Sequence, residues 1–293
     1  MPGMCTSHDS RPPIEPISGA AVDSQPVLLK GADGAEFKAF LAKPEQATGA
    51  GIVILPDVRG LHPFFEELAL RYAERGVVAL AIDYFGRTAG TADRGEDFDH
   101  SPHVDQARWE NLRGDITAAV EYLRAQDPAP RSTFTTGFCM GGRLSSMSAT
   151  LGLGLAGVVP FYGWPVGPNR NGTPAPAENA EKIECDVLAI YGEADTGIPQ
   201  EARDAYDSAL DKAGVRHETI VEPGAPHGFF DRRAEQHHEA ADDAWDRTLA
   251  FIRRHTMGQP IAAATPAAST TAAAADDQSV PSDPRIGFFT GDD

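Results

Sequence analysis

A cysteine lies between glycines in the stretch FTTGFCMGGRLS, residues 134–145, where an apolar run ends and a helix-compatible run begins. Gly137, Cys139 and Gly141 fit the pattern G-x-C-x-G, the cysteine form of the sharp turn that presents a nucleophile between a strand and a helix. At a helix start, the dipole and the free N–H groups stabilise a thiolate. The stretch therefore predicts a nucleophile, and a small packed thiol is the alternative.

An acid and a histidine follow the cysteine, each directly after a predicted strand. Asp195 ends the stretch YGEAD, residues 191–195, and His227 lies in PGAPHGFF, residues 223–230. The order nucleophile, acid, histidine is that of α/β-hydrolases and differs from the order in the two well-known protease folds. In such a triad His227 takes the proton of Cys139, and Asp195 orients and stabilises the imidazolium. Singly, the acid is also compatible with a helix cap and the histidine with an ordinary loop residue, but their order predicts a triad.

Apolar runs that alternate with amphipathic stretches predict the elements that position these residues. Strands are predicted at 51–56, 77–82, 134–136, 155–161, 186–191 and 217–222, after a hairpin over 29–40. Helices are predicted from Pro63 to Gly76, around 109–123, from about 141, over 200–213 and over 234–254. The pattern predicts an α/β protein with a mostly parallel central sheet and helices on both faces. Ligands of such sheets bind beyond the carboxyl ends of the strands, where the three candidates lie.

Composition divides the chain into three parts. Residues 1–25 are rich in Pro, Ser and Gly and have no apolar periodicity, which predicts a flexible N-terminal segment. Residues 26–256 suit one compact domain. Residues 257–293 contain AAATPAASTTAAAADD and a Pro/Asp-rich end, which predict a disordered, acidic Ala/Pro-rich tail.

The net charge of −18 disfavours nucleic acids and anionic membrane surfaces as partners, because both require a basic surface. No segment has the length of a membrane span, and the N-terminus lacks the layout of a signal peptide, so we expect a cytoplasmic protein. Three cysteines without a CxxC pair indicate neither a disulfide framework nor a zinc site. Both a monomer and a small homo-oligomer are compatible with the sequence.

The sequence resembles the dienelactone hydrolase family from roughly residue 27 to residue 254. The motifs that carry the resemblance are GFCMGG around Cys139, GEAD-x-x-IP around Asp195 and PHGFF around His227. The resemblance implies an α/β-hydrolase fold with a Cys-Asp-His triad. It also implies hydrolysis of small-molecule esters or lactones through an acyl-enzyme, with no metal and no organic cofactor.

Further site residues are implied by the same resemblance. Family members carry a carboxylate, usually Glu, just after an early strand, where it interacts with the thiol; Asp57 in ILPDVRG occupies that place here. The backbone N–H groups of Val58 and Met140 are the implied oxyanion hole. Two such donors aimed at a developing oxyanion are worth a few kcal/mol each.

Substrate binding in the family involves arginines that hold a carboxylate. Arg87, in DYFGRTAG, falls where one of them is expected. The second is expected four residues after the histidine, but Asp231 stands there and Arg232 follows. An acid in that place repels a substrate carboxylate unless an arginine pairs with it. Side chains near strand ends that fit either a pocket lining or ordinary packing are His62, Tyr84, Tyr162 and Trp164.

Two other functions are compatible with this fold: non-catalytic ligand binding, and redox sensing by an exposed thiol. An intact triad argues against the first. The second lacks a nearby resolving cysteine, because Cys185 starts a predicted strand away from the catalytic edge and Cys5 lies in the N-terminal segment. The histidines at 100, 103, 237 and 238 have no partners at metal-ligand spacing and are interpreted as surface residues.

Overall fold

The computed structural model of the chain describes residues 11–20, 22–95, 97–231 and 236–257. These residues form an eight-stranded sheet. Its strands are β1 (Val22–Lys30), β2 (Glu36–Pro44), β3 (Ala50–Leu55), β4 (Val77–Ile82), β5 (Ser132–Phe138), β6 (Gly157–Phe161), β7 (Asp186–Gly192) and β8 (His217–Glu222). Strands β3 to β7 are buried along nearly their whole length, which explains their continuous apolar character.

The spatial order of the strands is β1-β2-β4-β3-β5-β6-β7-β8. Strand β2 pairs antiparallel with β1 and β4, whereas the strands from β4 to β8 are parallel. The chain passes outward from β3 to β4 and then returns to add β5 on the other side of β3. The order therefore reverses between β3 and β5, and a ligand crevice is expected beyond the carboxyl ends of these two strands.

Helices cover both faces of the sheet. Adjacent residues of β5 point to opposite faces: the ring of Phe134 packs against Phe251, while the hydroxyl of Thr135 bonds to those of Ser145 and Ser148. The helices are α1 (Pro63–Ala73), α2 (Gly86–Ala89), α3 (Ser101–Gln106), α4 (Trp109–Arg124), α5 (Met140–Ser148), α6 (Gln200–Ala213) and α7 (His238–Thr256), with a 3-10 helix over Ala177–Lys182. The predicted mostly parallel sheet with helices on both faces is confirmed.

The first strand of the sheet begins inside the predicted N-terminal segment of residues 1–25. Strand β1 begins at Val22, and before it Ile14 is buried and the N–H of Ile17 donates to the carboxylate of Glu74. Most of β1 is exposed at the edge of the sheet, so its polar residues pair through the backbone without an apolar pattern that the sequence could reveal.

Helix α7 is the last helix among the described residues. Helix α7 begins at His238, a few residues after the expected 234, and ends at Thr256. The predicted tail lies, apart from Met257, outside the described residues. Within the part of the chain that the structure describes, every helix is too short or too polar to cross a membrane.

Candidate active site

Cys139 occupies a strained turn between β5 and α5. Its φ of 55° and ψ of −111° place a non-glycine residue in a region that is rarely populated and is concentrated at functional sites. The turn is fixed from both sides, because the N–H of Cys139 donates to the carbonyl of Phe161 at 3.1 Å and its own carbonyl accepts the N–H of Arg143. The thiol is thereby held at the carboxyl edge of the sheet, at the start of a helix.

The glycines around the cysteine are required by close backbone contacts. A Cβ at Gly137 would lie 2.0 Å from the carbonyl oxygen of Gly141, and a Cβ at Gly141 would lie 1.9 Å from that of Leu55. At Gly142 it would lie 2.4 Å from the oxygen of Phe161. Backbone atoms cannot move aside as a flexible side chain can. Helix α5 therefore packs this closely against the sheet only because these positions are glycine.

Asp195 and His227 form a hydrogen-bonded pair behind the cysteine. The Oδ2 atom of Asp195 lies 2.7 Å from Nδ1 of His227, and its Oδ1 accepts the N–H groups of Gly197 and Ile198. A carboxylate that accepts on both oxygens requires Nδ1 of the histidine to be the donor. The Nε2 atom is then the basic nitrogen, and His227 lines the same cavity as Cys139.

The acid and histidine loops are also packed backbone against backbone. The N–H of Ala194 donates to the carbonyl of Ala225 at 2.9 Å, and a Cβ at Gly192 would lie 2.2 Å from the same oxygen. The Asp195–His227 distance is therefore set by the two strands β7 and β8 and does not depend on long side chains.

A cavity of roughly 520 Å³ lies over the cysteine. This volume suits a small organic molecule. Val58 and Met140, the implied oxyanion donors, both line it, as do two of the aromatic candidates, Tyr162 and Trp164. The lining residues are Val58, Val104, Cys139, Met140, Arg143, Tyr162, Trp164, Asn169, Arg170, Thr196, Gly197, Ile198 and His227.

Asp57 is buried at the carboxyl end of β3, where a family carboxylate was expected. Its Oδ1 accepts the N–H of Arg59 at 2.8 Å, which shapes the loop that carries Val58. Tyr84 is absent from the cavity lining and supports the same loop from behind, since its hydroxyl donates to the carbonyl of Pro56 at 2.8 Å. Burial raises the pKa of Tyr84, and the nearby charges of Asp57, Asp83 and Cys139 raise it further.

Tyr162 is the second strained residue of the site. It has a φ of 36°, is buried, and its ring centroid lies 4.9 Å from that of His227. Burial raises the pKa of its hydroxyl, followed by the charges of Asp231, Cys139, Asp57 and Asp195. The charges that raise this pKa indicate that buried acidic groups lie near Cys139 and His227.

Arg87, the expected partner of a substrate carboxylate, is held by two aspartates of the chain itself. Its Nε and Nη2 atoms donate to Asp33 at 2.9 and 2.8 Å, and its two Nη atoms also donate to Asp115. The guanidinium holds the pKa of the Asp33 carboxyl at about 2, whereas burial raises the pKa of Asp115 in spite of the same partner. Arg87 thus ties the β1–β2 hairpin to α4 and does not line the cavity.

The second arginine candidate, Arg232, lies outside the described residues. Its neighbour Asp231 is buried, and its carboxylate lies over Gly228, where a Cβ would come within 2.9 Å of Oδ2. His62 lines a different, charged cavity together with Asp83 and Arg94.

Arg143 is a residue of the site that sequence reasoning missed. It lies one turn into α5 and is buried, and no carboxylate hydrogen-bonds to its guanidinium among the contacts of the described residues. Burial lowers its pKa to about 10. All three nitrogens donate to the segment of residues 163–175, here called the wall segment, which supplies Trp164, Asn169 and Arg170 to the cavity. The accepting carbonyls belong to Trp164, Val166, Gly167, Thr173 and Pro174, at 2.6 to 3.3 Å.

The wall segment has a second support in Asn171. This buried side chain accepts the N–H and hydroxyl of Thr173 on Oδ1, and its Nδ2 lies 3.6 Å from the sulfur of Met140. Met140, which follows Cys139 in the chain, is thereby in contact with the wall segment.

Other sequence candidates for chemistry do not join this site. Over the described residues, no group of three or more His, Cys, Asp or Glu side chains is arranged to hold a metal ion. Burial raises the pKa of the Cys185 thiol to about 12, which leaves it unreactive at neutral pH. Cys5 lies outside the described residues.

The family model of the dienelactone hydrolase family matches residues 37–256. A "Putative carboxymethylenebutenolidase" of Saccharolobus solfataricus is 30% identical over 258 residues, 76% of this chain and 95% of that protein. One of Yersinia pestis is 29% identical over 245 residues, 76% of this chain and 85% of that protein.

Solved structures agree with the sequence relatives. The crystal structure of a "Putative Dienelactone Hydrolase" from Klebsiella pneumoniae superimposes with a TM-score of 0.71 at 26% identity, and covers 79% of this chain and 98% of that one. This similarity makes the fold that of the α/β-hydrolases. The chain belongs to the dienelactone hydrolase family and is a hydrolase.

Proposed function

We propose that the chain hydrolyses ester or lactone bonds of small molecules through a cysteine nucleophile. The observation that carries the proposal is the 2.7 Å bond between Asp195 Oδ2 and His227 Nδ1, formed at the cavity that also contains the Cys139 turn. A histidine oriented in this way presents Nε2 as a base, which is the arrangement that activates a thiol. The names of the Saccharolobus and Yersinia relatives agree with this activity.

In the first half of the reaction His227 Nε2 takes the proton of the Cys139 thiol, and the thiolate attacks the carbonyl carbon of the substrate. The carbonyl oxygen becomes an oxyanion, which the N–H groups of Val58 and Met140 stabilise. When the tetrahedral intermediate collapses, the bond to the leaving oxygen breaks and His227 gives that oxygen its proton. The product is an acyl thioester on Cys139 and a free alcohol, or a tethered alcohol if the substrate is a lactone.

In the second half His227 takes a proton from water, and the resulting hydroxide attacks the thioester. The carbon–sulfur bond breaks, the carboxylic acid leaves, and His227 returns the proton to the thiolate. Asp195, whose two oxygens accept three N–H donors, orients His227 and stabilises the imidazolium in both halves. Asp57 positions the Val58 loop through its bond to the N–H of Arg59.

The proposal is tested by comparing Cys139→Ala with Cys185→Ala on 4-nitrophenyl acetate and a simple lactone. We expect the first variant to lose about a thousandfold or more of kcat/KM and the second to keep its activity, since only Cys139 lies in the cavity. Iodoacetamide should inactivate the wild-type protein, and substrate should protect it.

Full activity in Cys139→Ala would contradict the nucleophile assignment. Formation of a sulfenate at Cys139 under peroxide, in a protein that hydrolyses none of a panel of esters and lactones, would support redox sensing instead.

A further inference from the structure

The Val58 loop, residues 56–61, packs directly on the buried carboxylate of Asp83, the residue that follows β4. The N–H of Leu61 donates to Oδ1 of Asp83 at 3.1 Å. A Cβ at Gly60 would lie 2.6 Å from the same oxygen, so the backbone of the loop touches the carboxylate. The place of this end of the loop is therefore set by the side chain of Asp83.

A hydrogen bond inside the loop relates Val58 to that contact. The carbonyl of Asp57 accepts the N–H of Gly60 at 3.2 Å, and Val58 is the second residue of the turn that this bond closes. A short turn leaves its peptide groups little freedom to rotate independently of its ends. The direction of the Val58 N–H, the proposed oxyanion donor, thus depends on where Asp83 lies.

Arg94 binds both oxygens of the Asp83 carboxylate. Its Nη1 donates to Oδ1 and its Nη2 to Oδ2, each at 2.7 Å, and the N–H of Phe85 also donates to Oδ2. Two parallel charge-assisted bonds fix the orientation of a carboxylate as well as its position. The guanidinium is held in turn by two rings, since its carbon lies 5.5 Å from the ring centroid of Phe85 and 4.9 Å from that of Phe98.

Arg94 does not belong to the lining of the cavity over Cys139. It lines a separate cavity, together with Lys38 and Asp93. A substrate bound beside Cys139 is therefore not in contact with this guanidinium. Any effect of Arg94 on the reaction must pass through the parts of the protein that it holds in place, of which Asp83 is the most tightly bound.

We propose that Arg94 is a positioning residue of the hydrolytic reaction: by fixing the carboxylate of Asp83, it holds the Val58 N–H where the oxyanion forms. The inference rests on the proposed function, because Val58 is an oxyanion donor only if Cys139 attacks a carbonyl group. Without the arginine, the buried carboxylate loses its cation and two of its four hydrogen bonds, and the loop that packs on it shifts. An oxyanion donor that is out of place loses much of its effect on the transition state.

The test compares Arg94→Met with the wild-type protein in two reactions of Cys139. Hydrolysis of 4-nitrophenyl acetate passes through oxyanions, whereas iodoacetamide loses iodide from a saturated carbon and forms none. We expect kcat for the ester to fall by about tenfold or more with KM within about threefold, and the alkylation rate to stay within about twofold. An unchanged kcat overturns the proposal. Equal losses in both reactions also overturn it, because Arg94 would then act on the thiol or on the fold as a whole.

Two further variants separate positioning from the cost of an unpaired buried charge. The double variant Asp83→Asn/Arg94→Met removes the charge together with its cation, and the amide oxygen still accepts the N–H of Leu61. It should unfold near the wild-type urea midpoint and keep a kcat about fivefold or more below wild type, because nothing orients the amide. Arg94→Lys keeps the charge without the two parallel bonds and should have an intermediate kcat. Full recovery of kcat in the double variant overturns the proposal, since only the unpaired charge would then matter.

Lys38→Met is the matched control, because the Lys38 side chain lines the same cavity as Arg94 but pairs with Asp93. Its kcat and its alkylation rate should stay within about twofold of wild type. A loss of kcat as large as that of Arg94→Met overturns the assignment, since removal of any cation there would act alike. If wild-type protein hydrolyses no ester above the Cys139→Ala background, the proposed function fails and the inference fails with it. If wild-type protein is active and Arg94→Met keeps its kcat, the positioning role alone fails.

Discussion

The Cys139 turn and the wall segment face each other across one cavity, but they are held in opposite ways. The turn is fixed by backbone against backbone, with glycines at 137, 141 and 142 that leave no room for a side chain. The wall segment is fixed by one side chain, Arg143, whose guanidinium hydrogen-bonds to carbonyls along it. A close backbone contact leaves no space for an added side-chain atom, whereas the hydrogen bonds of one side chain can be weakened in part by substitution.

This difference predicts that changes at the turn affect the chemical step and changes at the wall affect substrate binding. The proposed triad residues follow β5, β7 and β8, which are parallel strands of one hydrogen-bonded sheet, with β8 at its edge. Trp164, Asn169 and Arg170 lie on irregular chain between β6 and the 3-10 helix. Mutations in the two regions should therefore separate kcat from KM.

The largest effect is expected from Gly141→Ala. The new Cβ would lie 1.9 Å from the oxygen of Leu55 and 2.3 Å from that of Pro56, so α5 must move away from β3 and carry the thiol with it. We expect a loss of about 3 kcal/mol or more in unfolding free energy and no measurable hydrolysis. Urea denaturation and ester hydrolysis measure the two.

Gly114→Ala is the matched control. Gly114 lies inside α4, and an added Cβ meets no atom within 4 Å. The same substitution there should raise stability by about 0.5–1 kcal/mol, because alanine loses less entropy in a helix, and should leave turnover unchanged. A folded, active Gly141→Ala protein would contradict the argument that backbone contact positions the turn.

Asp195→Asn should affect the chemical step with little effect on the fold. An amide that still accepts from Gly197 and Ile198 turns its NH₂ toward His227 and favours the tautomer with the proton on Nε2, which cannot take the proton of Cys139. We expect kcat to fall by about 10²–10⁴-fold with KM within a few-fold.

Asp207→Asn provides the control for an aspartate that contacts a histidine. Asp207 lies 3.1 Å from Nε2 of His217, away from the cavity lining. Its loss should leave kcat unchanged. Similar losses in the two variants would mean that the effect of Asp195 is structural.

Arg143→Met should affect the wall segment and leave the turn intact. Carbonyls that lose a buried charged donor are left poorly satisfied, so we expect unfolding free energy to fall by about 2–4 kcal/mol. The cavity wall should loosen, raising KM for 4-nitrophenyl heptanoate by about tenfold with kcat within about threefold. A fall in kcat with unchanged KM would instead assign Arg143 to the chemical step.

Arg143→Lys separates positioning from general destabilisation. An ammonium group retains the charge but has three donors without the planar arrangement that reaches carbonyls of several residues. It should restore part of the binding, with KM between those of the wild-type and methionine proteins. A lysine variant as impaired as the methionine variant would show that only the planar guanidinium holds the wall.

The sequence predicts the turn better than the wall for the same physical reason. Glycines needed for close backbone contact recur at fixed spacing, and apolar strands have a clear pattern, so Val77–Ile82, Gln200–Ala213 and His217–Glu222 are located at their observed bounds. Every residue type has a backbone carbonyl, so the sequence does not reveal which residues accept hydrogen bonds from Arg143. The partners of Arg87 were missed because Asp33 and Asp115 lie 54 and 28 residues away in the chain.

Arg87→Met should have the smallest effect on catalysis and sharpens the contrast between two arginines. Arg143 holds carbonyls beside the cavity, whereas Arg87 joins the carboxylate of Asp33 on the β1–β2 hairpin to that of Asp115 on α4. Its removal leaves the buried Asp115 without its cation, so we expect a loss of about 3 kcal/mol in unfolding free energy. The kcat/KM values for 4-nitrophenyl heptanoate and for the 4-nitrophenyl monoester of adipic acid, which carries a carboxylate, should stay within about twofold, since the proposed triad and the wall segment are untouched.

Asp33→Asn completes the Arg87 experiment, because Asp33 is half-exposed and its loss leaves the buried pair with Asp115 intact. Its destabilisation should be smaller than that of Arg87→Met, since solvent replaces an exposed carboxylate at little cost. Urea unfolding of both variants at neutral pH gives the comparison. A selective loss on the adipate ester in Arg87→Met would support Arg87 as a substrate-binding residue, and it would require the hairpin to release the guanidinium when substrate binds.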